Sequence, residues 1–356
     1  MDARDFRAHF PVLERVAYLN AGTDGPLADV AVAASRDELE AQARDGRVGA
    51  HFERRMALQD EVRAAYARIA GAPPEEIALT SSATDGLGRV IAGLGLGPGD
   101  EIVTSDQEHP GLIGPLLTAR GNGARVREVP WAEVASAVGP ETTLVAVSHV
   151  SWIGGDVIPP GLAELPVPVI LDGAQGAGAI PLDVRSLGCA AYAAAGQKWL
   201  CGPDGSGFLW IDPGFAERVD VVSPSYLTFE DPAAGLEGGF KETAQRFDTP
   251  TLSRESLAMS AATLRLFEEA GHEELHDRAA TLARRLADEL RARGREVAPR
   301  GHTTLVSWTE EDDEATRDRL AAVGIVVRNL PGRNLLRASV GAWNDESDLE
   351  RLLDAS

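Results

Sequence analysis

Between about residue 58 and residue 210, short apolar runs rich in β-branched residues alternate with helical or glycine-punctuated stretches. This pattern is typical of a mostly parallel β-sheet flanked by helices. A helix is predicted over residues 82–94, directly after a predicted strand. The clearest strands are predicted at residues 76–80, 101–105, 143–150, 167–172 and 207–211.

After the glycine-rich segment at residues 235–239 the pattern changes. Two long helices are predicted, and three strands and a last helix follow them, with Asn344 as the expected N-cap of that helix. The helices span residues 252–270 and 273–293, and the strands 303–308, 324–327 and 335–340. We therefore expect an α/β chain with three parts. These are an N-terminal segment (1–14) that packs with a small domain, a large sheet domain (15–240), and the small α+β domain itself (241–356).

The charge of the chain excludes some classes of partner. Its 356 residues include 55 acids and 34 lysines and arginines, a formal net charge of −21. Such a surface repels phosphate backbones and anionic lipid, so we expect neither nucleic-acid nor membrane binding. The two cysteines, Cys189 and Cys201, have no Cys-x-x-Cys spacing, which argues against a disulfide framework and against a metal site. With no signal-like or membrane-length apolar run, a cytoplasmic location is expected.

Lysine is rare, since Lys198 and Lys241 are the only two in the chain. Lys198 follows a small-residue strand end and precedes a loop rich in glycine and proline, where a side chain can point into a cleft. A desolvated lysine has a lowered pKa and can act as a Schiff-base nucleophile. A surface charge is the alternative, and it suits Lys241 better because that residue lies in a glycine-rich, acidic stretch.

Other candidate residues follow predicted strands. Asp172 ends an apolar run, where parallel sheets place ligands, although it could equally cap a helix. The Ser-Ala-Thr at residues 82–84 begins a helix and could bind an anion or serve as an ordinary cap. His109 follows the strand predicted at residues 101–105 and could stack on a planar ring, although a lone histidine is more often structural.

In chain order, these motifs resemble the class V aminotransferase superfamily of fold-type I pyridoxal-phosphate (PLP) enzymes. They are Ser-Ala-Thr-Asp-Gly (82–86), Glu-His (108–109), Asp-Gly-Ala-Gln (172–175), the lysine loop and Asn-Leu-Leu-Arg-Ala-Ser (334–339). The chain is most similar to the branch of cysteine desulfurases and cystine carbon-sulfur lyases. The resemblance implies the fold of a PLP-dependent transferase, with a large, mostly parallel seven-stranded sheet domain and a smaller α+β C-terminal domain.

The resemblance also implies roles for single residues. Lys198 would form the Schiff base with PLP, Asp172 would pair with the pyridine nitrogen, and His109 would stack on the ring. Gln175 would bind the phenolic oxygen, and Arg337 would clamp the substrate carboxylate. The remaining implied contacts are Ala83 and Thr84 for the phosphate, Trp152 and Gln197 for the cofactor, Asn20 for the substrate, and Thr251, reaching the site of a partner subunit in a homodimer.

Two departures from the family pattern bear on function. Gln197 and Ala195 stand where the family usually has histidine and serine. No cysteine occurs at residues 324–336, where desulfurases carry the thiol that becomes a persulfide. We therefore expect a lyase that eliminates sulfur from the β-carbon of cysteine- or cystine-like amino acids. The alternatives are a class V aminotransferase, an isopenicillin-N-epimerase-like enzyme, and a catalytically quiet binding or regulatory protein of this fold.

Overall fold

The computed structural model describes residues 1–158 and 161–356. Within these residues the strands, in chain order, are β1 Ala17–Tyr18, β2 Ile77–Thr80, β3 Glu101–Ser105, β4 Arg125–Val129, β5 Thr142–Ser148, β6 Val169–Asp172, β7 Ala191–Ala195, β8 Gly207–Ile211, β9 Leu305–Thr309, β10 Ile325–Val326, β11 Arg328–Leu330 and β12 Leu335–Ser339. The α-helices are α1 Ala3–Ala8, α2 Asp29–Asp45, α3 Gly49–Ala70, α4 Ala83–Gly93, α5 Pro110–Gly121, α6 Pro213–Ala216, α7 Arg254–Ala270, α8 His272–Ala292, α9 Asp313–Ala322 and α10 Glu346–Ala355.

The central element is a seven-stranded sheet in the order β2-β8-β7-β6-β5-β3-β4. Strand β8 runs antiparallel to both of its neighbours, and the other strands run parallel to one another. The predicted large, mostly parallel sheet is therefore confirmed. Because these strands share one direction, β2, β3, β5, β6 and β7 all end at the same edge of the sheet, which is where such sheets place their ligands.

Strand β4 was not predicted, and β7 was expected only as a small-residue strand end before Lys198, without bounds. The sequence of β7 is Ala-Tyr-Ala-Ala-Ala, and alanine has a weak preference for strands. Its small side chains let α4 approach closely, since a Cβ on Gly86 would lie 2.9 Å from the Cβ of Ala193. Strand β4 is a half-exposed edge strand whose Arg127 pairs with Glu101 of β3 at 3.2 Å. Because many of its side chains are polar, a search for apolar runs does not detect this strand.

The C-terminal part contains an antiparallel sheet in the order β11-β12-β9, against which α8 and α9 pack. The N-terminus contacts this part: Arg7 of α1 donates to the Trp343 carbonyl and to Asp348, both at 2.7 Å. Strand β1 pairs with β10, beyond the predicted limit of residue 14. Helix α7 packs along α2 and α3 of the predicted large domain. The division at residues 14 and 240 stays a prediction.

The predicted N-cap of the last helix is wrong by one residue. Asp345 caps α10, because its carboxylate accepts from the backbone N–H groups of Ser347 and Asp348. The side chain of Asn344 is used elsewhere: it accepts from the Gly341 N–H at 2.8 Å and donates to the Tyr18 carbonyl at 3.0 Å. In the part of the chain that the structure describes, no helix combines the length and apolar character that crossing a membrane requires.

Candidate active site

Lys198 follows β7 at the edge where the parallel strands end. Its loop is fixed by backbone hydrogen bonds, from Gly202 N–H to the Gly196 carbonyl at 2.9 Å and from Gly25 N–H to the Gln197 carbonyl at 2.7 Å. Burial lowers the pKa of Lys198, and the charges of Arg337 and Arg328 lower it further, against the negative charge of Asp172. An amine in these surroundings is more often neutral, and so more nucleophilic, than one on the surface. The other lysine, Lys241, donates to Gln245 at 2.9 Å.

Asp172 ends β6 and is 5% exposed. Its Oδ1 accepts from the Ala174 N–H at 2.9 Å, within a turn and not at the start of a helix. The structure therefore does not support its alternative role as a helix cap. Burial raises the pKa of Asp172, while the charge of Lys198 opposes that rise. Asp172 and Lys198 are thus electrostatically coupled, and the pairing of Asp172 with a pyridine nitrogen stays a prediction.

His109 lies at the start of α5, where it is the N-cap, and its Nδ1 accepts from the Gly111 N–H at 3.0 Å. Burial lowers the pKa of His109 to about 4, with the charges of Lys198 and Arg337 adding to the effect. The imidazole is therefore neutral near pH 7, and its remaining proton is on Nε2. The ring meets Trp152 edge-on, with centroids 5.2 Å apart.

The N-terminus of α4 forms a cradle suited to an anion. The Ser82 side chain accepts from the Asp85 N–H at 3.0 Å, whereas the amides of Ala83 and Thr84 have no partner within the described residues. A Cβ on Gly111 would lie 2.6 Å from Thr84 Oγ1, so the start of α5 adjoins this cradle closely. Free amides at a helix N-terminus suit a phosphate group.

Gln175 has two partners that the sequence did not reveal. Its Nε2 donates to the Gly22 carbonyl at 2.8 Å, and its Oε1 accepts from Trp199 Nε1 at 2.9 Å. One N–H of the amide is left over for a cofactor oxygen, so the role implied by resemblance stays a prediction. The Oε1 of Gln197 is buried and has no partner in residues 1–158 and 161–356. It is an open acceptor beside the lysine.

Arg337, on β12, enters the site from the C-terminal sheet and is 1% exposed. It donates to the Trp152 carbonyl at 2.7 Å, and its Nε has no partner among the described residues. Burial lowers the pKa of Arg337 to about 9, and the charge of Arg328 adds to this. A carboxylate ligand would offset both effects. Asn20 lies beside β12, and its Oδ1 accepts from the Thr23 hydroxyl at 2.9 Å.

Thr251 lies on an exposed connection before α7. The connection is anchored by Asp248, which is 3% exposed and pairs with Arg63 through two bonds of 2.8 and 3.0 Å. Asp248 also accepts from the Leu79 N–H of β2 at 2.8 Å. The loop is therefore tied to the strand that leads into the anion cradle, and the contact of Thr251 with a partner subunit stays a prediction.

Sequence reasoning missed Arg328 and Asp24. Arg328 on β11 lies opposite Arg337 in register and donates to Thr23 Oγ1 at 3.2 Å. The Pro-Gly pair at residues 331–332 is a turn signal that could have placed these two arginines opposite each other. The pKa of Asp24 is raised by burial and by Asp204, and lowered by Lys198 and Arg328, so Asp24 lies among the charges of the site. Nothing in the polar loop sequence around Asp24 indicated that this residue belongs to the site.

Comparison with known proteins identifies the family of this chain. The model of the family "Aminotransferase class-V" matches residues 18–352. A probable cysteine desulfurase of Halalkalibacterium halodurans is 28% identical over 99% of this chain and 96% of its own length. An isopenicillin N epimerase of Amycolatopsis lactamdurans is 30% identical over 96% of this chain and 94% of its own length.

Two solved structures of the protein C-DES resemble the whole chain. One, a mutant with glycine covalently linked to the PLP cofactor, has a TM-score of 0.92 and 29% identity, and covers 98% of both chains. The other, a complex of the cystine C-S lyase C-DES with its reaction product cysteine persulfide, has a TM-score of 0.90 and 28% identity, and covers 97% of this chain and 98% of that one.

The site fits the cofactor of these relatives on its own chemistry. It offers a lysine with a lowered pKa, a buried acid coupled to that lysine, and a helix N-terminus with free amides. These groups suit an aldehyde, a pyridine nitrogen and a phosphate, which PLP combines in one molecule. The chain belongs to the aminotransferase class-V family and is a PLP-dependent enzyme of fold-type I.

Proposed function

We propose that this enzyme is a carbon-sulfur lyase that acts on cysteine- and cystine-like amino acids without forming a persulfide on its own chain. The observation that carries the proposal is the absence of a cysteine at residues 324–336, before Arg337, in a site that otherwise has its cofactor residues. The two cysteines, Cys189 and Cys201, are 7% and 0% exposed. Burial raises the pKa of both thiols, that of Cys189 to about 12, so neither is a ready nucleophile.

Each residue has a defined task in this proposal. Arg337 would hold the α-carboxylate of the substrate in a bidentate pair. Lys198, whose lowered pKa favours the neutral amine, would accept the Cα proton. When bound, the cofactor supplies the electron sink for that carbanion, and Asp172 would keep its ring nitrogen protonated. The Cβ–S bond then breaks, the sulfur leaves with its electron pair, and hydrolysis gives pyruvate and ammonia.

Arg328 favours a substrate with two carboxylates. It is a second guanidinium beside Arg337, and its charge lowers the pKa of Arg337, of His109 and of Lys198. Cystine carries an α-carboxylate at each end, so one could pair with each arginine. The similarity to the cystine lyase C-DES supports the same choice. We therefore propose cystine as a better substrate than cysteine.

A substrate panel tests this proposal. The holoenzyme is incubated with cystine, cysteine and cysteine S-conjugates, and pyruvate and sulfur products are identified by mass. A Cys189→Ala/Cys201→Gly variant should release as much pyruvate as the wild type. Loss of pyruvate in that variant, or transfer of the amino group to a keto acid in the wild type, would contradict the proposal.

The epimerase alternative has a specific observation in its favour, which is the 30% identity to an isopenicillin N epimerase over almost the full chain. It predicts inversion at the α-carbon with no pyruvate, so chiral analysis of recovered substrate separates it from the lyase. An aminotransferase would give a keto acid. A quiet binding protein, suggested by Ala195 and Gln197, would turn over none of these compounds.

We also propose a homodimer in which Thr251 reaches the partner's site. Its support is the exposed position of Thr251 on a loop that Asp248 anchors to β2. Light scattering gives the mass in solution. If sites are shared, mixing inactive Lys198→Ala chains with impaired Thr251→Ala chains should yield mixed dimers with one intact site. No recovery of activity on mixing would contradict shared sites.

A further inference from the structure

Glu108 is a buried acid that the proposed reaction does not use. Glu108 is 7% exposed. One carboxyl oxygen meets the Ser105 hydroxyl, and the other accepts from the Ser148 N–H at 2.9 Å and the Ser148 hydroxyl at 2.5 Å. Within the described residues no basic side chain pairs with it. A buried acid held by three polar groups and no cation needs an explanation.

The partners of Glu108 belong to strand ends that form the site. Ser105 ends β3 and Ser148 ends β5. Ser148 is in register with Asp172 on β6, and the N–H of His149 donates to the Asp172 carbonyl at 2.9 Å. On its other side, Glu108 directly precedes His109. One carboxyl group therefore connects the end of β5, which pairs with the end of β6 that carries Asp172, to His109, the N-cap of α5.

The electrostatics favour the protonated form of this acid. Burial raises the pKa of Glu108 to about 7, against the hydrogen bonds from Ser105 and Ser148, and the negative charge of Asp172 adds to the rise. Asp172 has Lys198 as a compensating cation, and no cation among residues 1–158 and 161–356 compensates Glu108. Of two buried acids at one site, the one with a cationic neighbour ionises first. Below about pH 7, Glu108 is then a hydrogen-bonding group more than a charge.

We propose that Glu108 is a positioning residue, which acts as a neutral acid that holds His109 and Asp172 in fixed relative position for the cofactor. Its hydrogen bonds to Ser105 and Ser148 supply the constraint. Glutamine has the shape of a protonated glutamate: its amide can donate to Ser105 while its oxygen accepts both bonds from Ser148. The proposal rests on cofactor binding, and not on the identity of the reaction.

The test compares Glu108→Gln with Glu108→Ala in the full-length holoenzyme. The readouts are the visible circular dichroism of the bound cofactor and the rate at which cofactor is lost on dialysis, and neither requires turnover. Glu108→Gln should retain the dichroism and lose cofactor within about twofold of the wild-type rate. Glu108→Ala leaves a buried N–H unpaired and should lose cofactor about tenfold faster, with a weaker signal per bound cofactor.

A matched control lies at the other end of the same strand. Glu101 begins β3, is 3% exposed and pairs with Arg125 and Arg127. Glu101→Ala should lower the melting temperature but leave the dichroism per bound cofactor unchanged. Ser148→Ala removes one hydroxyl and keeps the backbone bond, so it should give a partial loss even if Glu108→Ala does not fold.

Two results would overturn the proposal. If Glu108→Gln is as impaired as Glu108→Ala, the site needs the negative charge. If Glu108→Ala or Ser148→Ala binds cofactor with wild-type dichroism and retention, the residue has no positioning role. A failure of the lyase assignment would appear in the substrate panel and would leave these cofactor readouts unaffected.

Discussion

The active site has two sides that differ in how firmly their polar side chains are held. On the side of the seven-stranded sheet, Asp172, Gln175 and Glu108 all have hydrogen-bond partners within the chain. The groups left over there, Gln197 Oε1 and the amides of Ala83 and Thr84, are ones that the cofactor would use. On the side of the C-terminal sheet, polar atoms are left over: Nε of Arg337 and Oγ of Ser339 are buried without partners in the described residues. A preformed side suits a cofactor that stays, and an unsatisfied side suits an anion that comes and goes.

Replacing Lys198 should have the largest effect, because it removes the amine that both holds the cofactor and would move the proton. We expect Lys198→Ala to lower kcat by a factor of at least about 10⁴ and to abolish the visible band of lysine-linked cofactor. Lys241→Ala is the matched control, since the other lysine of the chain binds Gln245, and it should leave both unchanged. Residual turnover above about 1% in Lys198→Ala would contradict the role.

The two arginines test the unsatisfied side. Arg337→Ala should lower kcat/KM for every amino-acid substrate by about a hundredfold to a thousandfold, since a buried bidentate pair is lost. Arg328→Ala should lower kcat/KM for cystine about tenfold more than that for cysteine, because the charge of Arg328 also acts on Lys198 and Arg337, which both substrates would use. Steady-state kinetics with both substrates gives the comparison. Equal losses of kcat/KM for cystine and cysteine in Arg328→Ala would show that Arg328 does not bind a second carboxylate.

The side of the seven-stranded sheet is tested by the pH dependence of the free energy of unfolding. The folded-state pKa of Glu108, about 7, lies above its ordinary value of 4.5, so the native state binds more protons than the unfolded state between these values. The stability due to this proton is complete below about pH 4.5 and is lost as pH rises through about 7. Glu108→Gln should remove that loss, an effect of about 1 to 3 kcal/mol.

The measurement is the unfolding free energy of wild type minus that of Glu108→Gln, from urea titrations between pH 5 and 8. The difference is needed because His109 and His149, with pKa values lowered to about 4, act in the opposite direction: their contribution grows as pH rises toward 6.5. The wild type should become less stable relative to the variant as pH rises. A difference that stays constant over this range would mean that Glu108 does not titrate there.

The sequence predicts those parts of the fold and site that depend on local patterns, and it does not predict those that depend on long-range contacts. Strands β3 and β8 have the predicted bounds because they are apolar runs between turn signals. Strand β7 was expected only at its end, because its alanines serve the close packing of α4 and not strand preference. Lys198 and Asp172 could be proposed as site residues from local motifs, and their roles stay predictions. The second partners of Gln175, and the position of Arg328 opposite Arg337, depend on long-range pairing that no local pattern contains.

The smallest expected effect concerns the turn that holds the two arginines opposite each other. Asn334 has a φ of 52° just before β12, and asparagine tolerates this left-handed conformation better than branched residues do. Asn334→Gly should change stability by less than about 0.5 kcal/mol, whereas Asn334→Val should cost about 1 to 2 kcal/mol. If the turn also sets the register of Arg328 against Arg337, Asn334→Val should raise KM for cystine more than KM for cysteine. An equal rise for both substrates would mean that the strain spreads through the site and does not act on the pairing of the arginines.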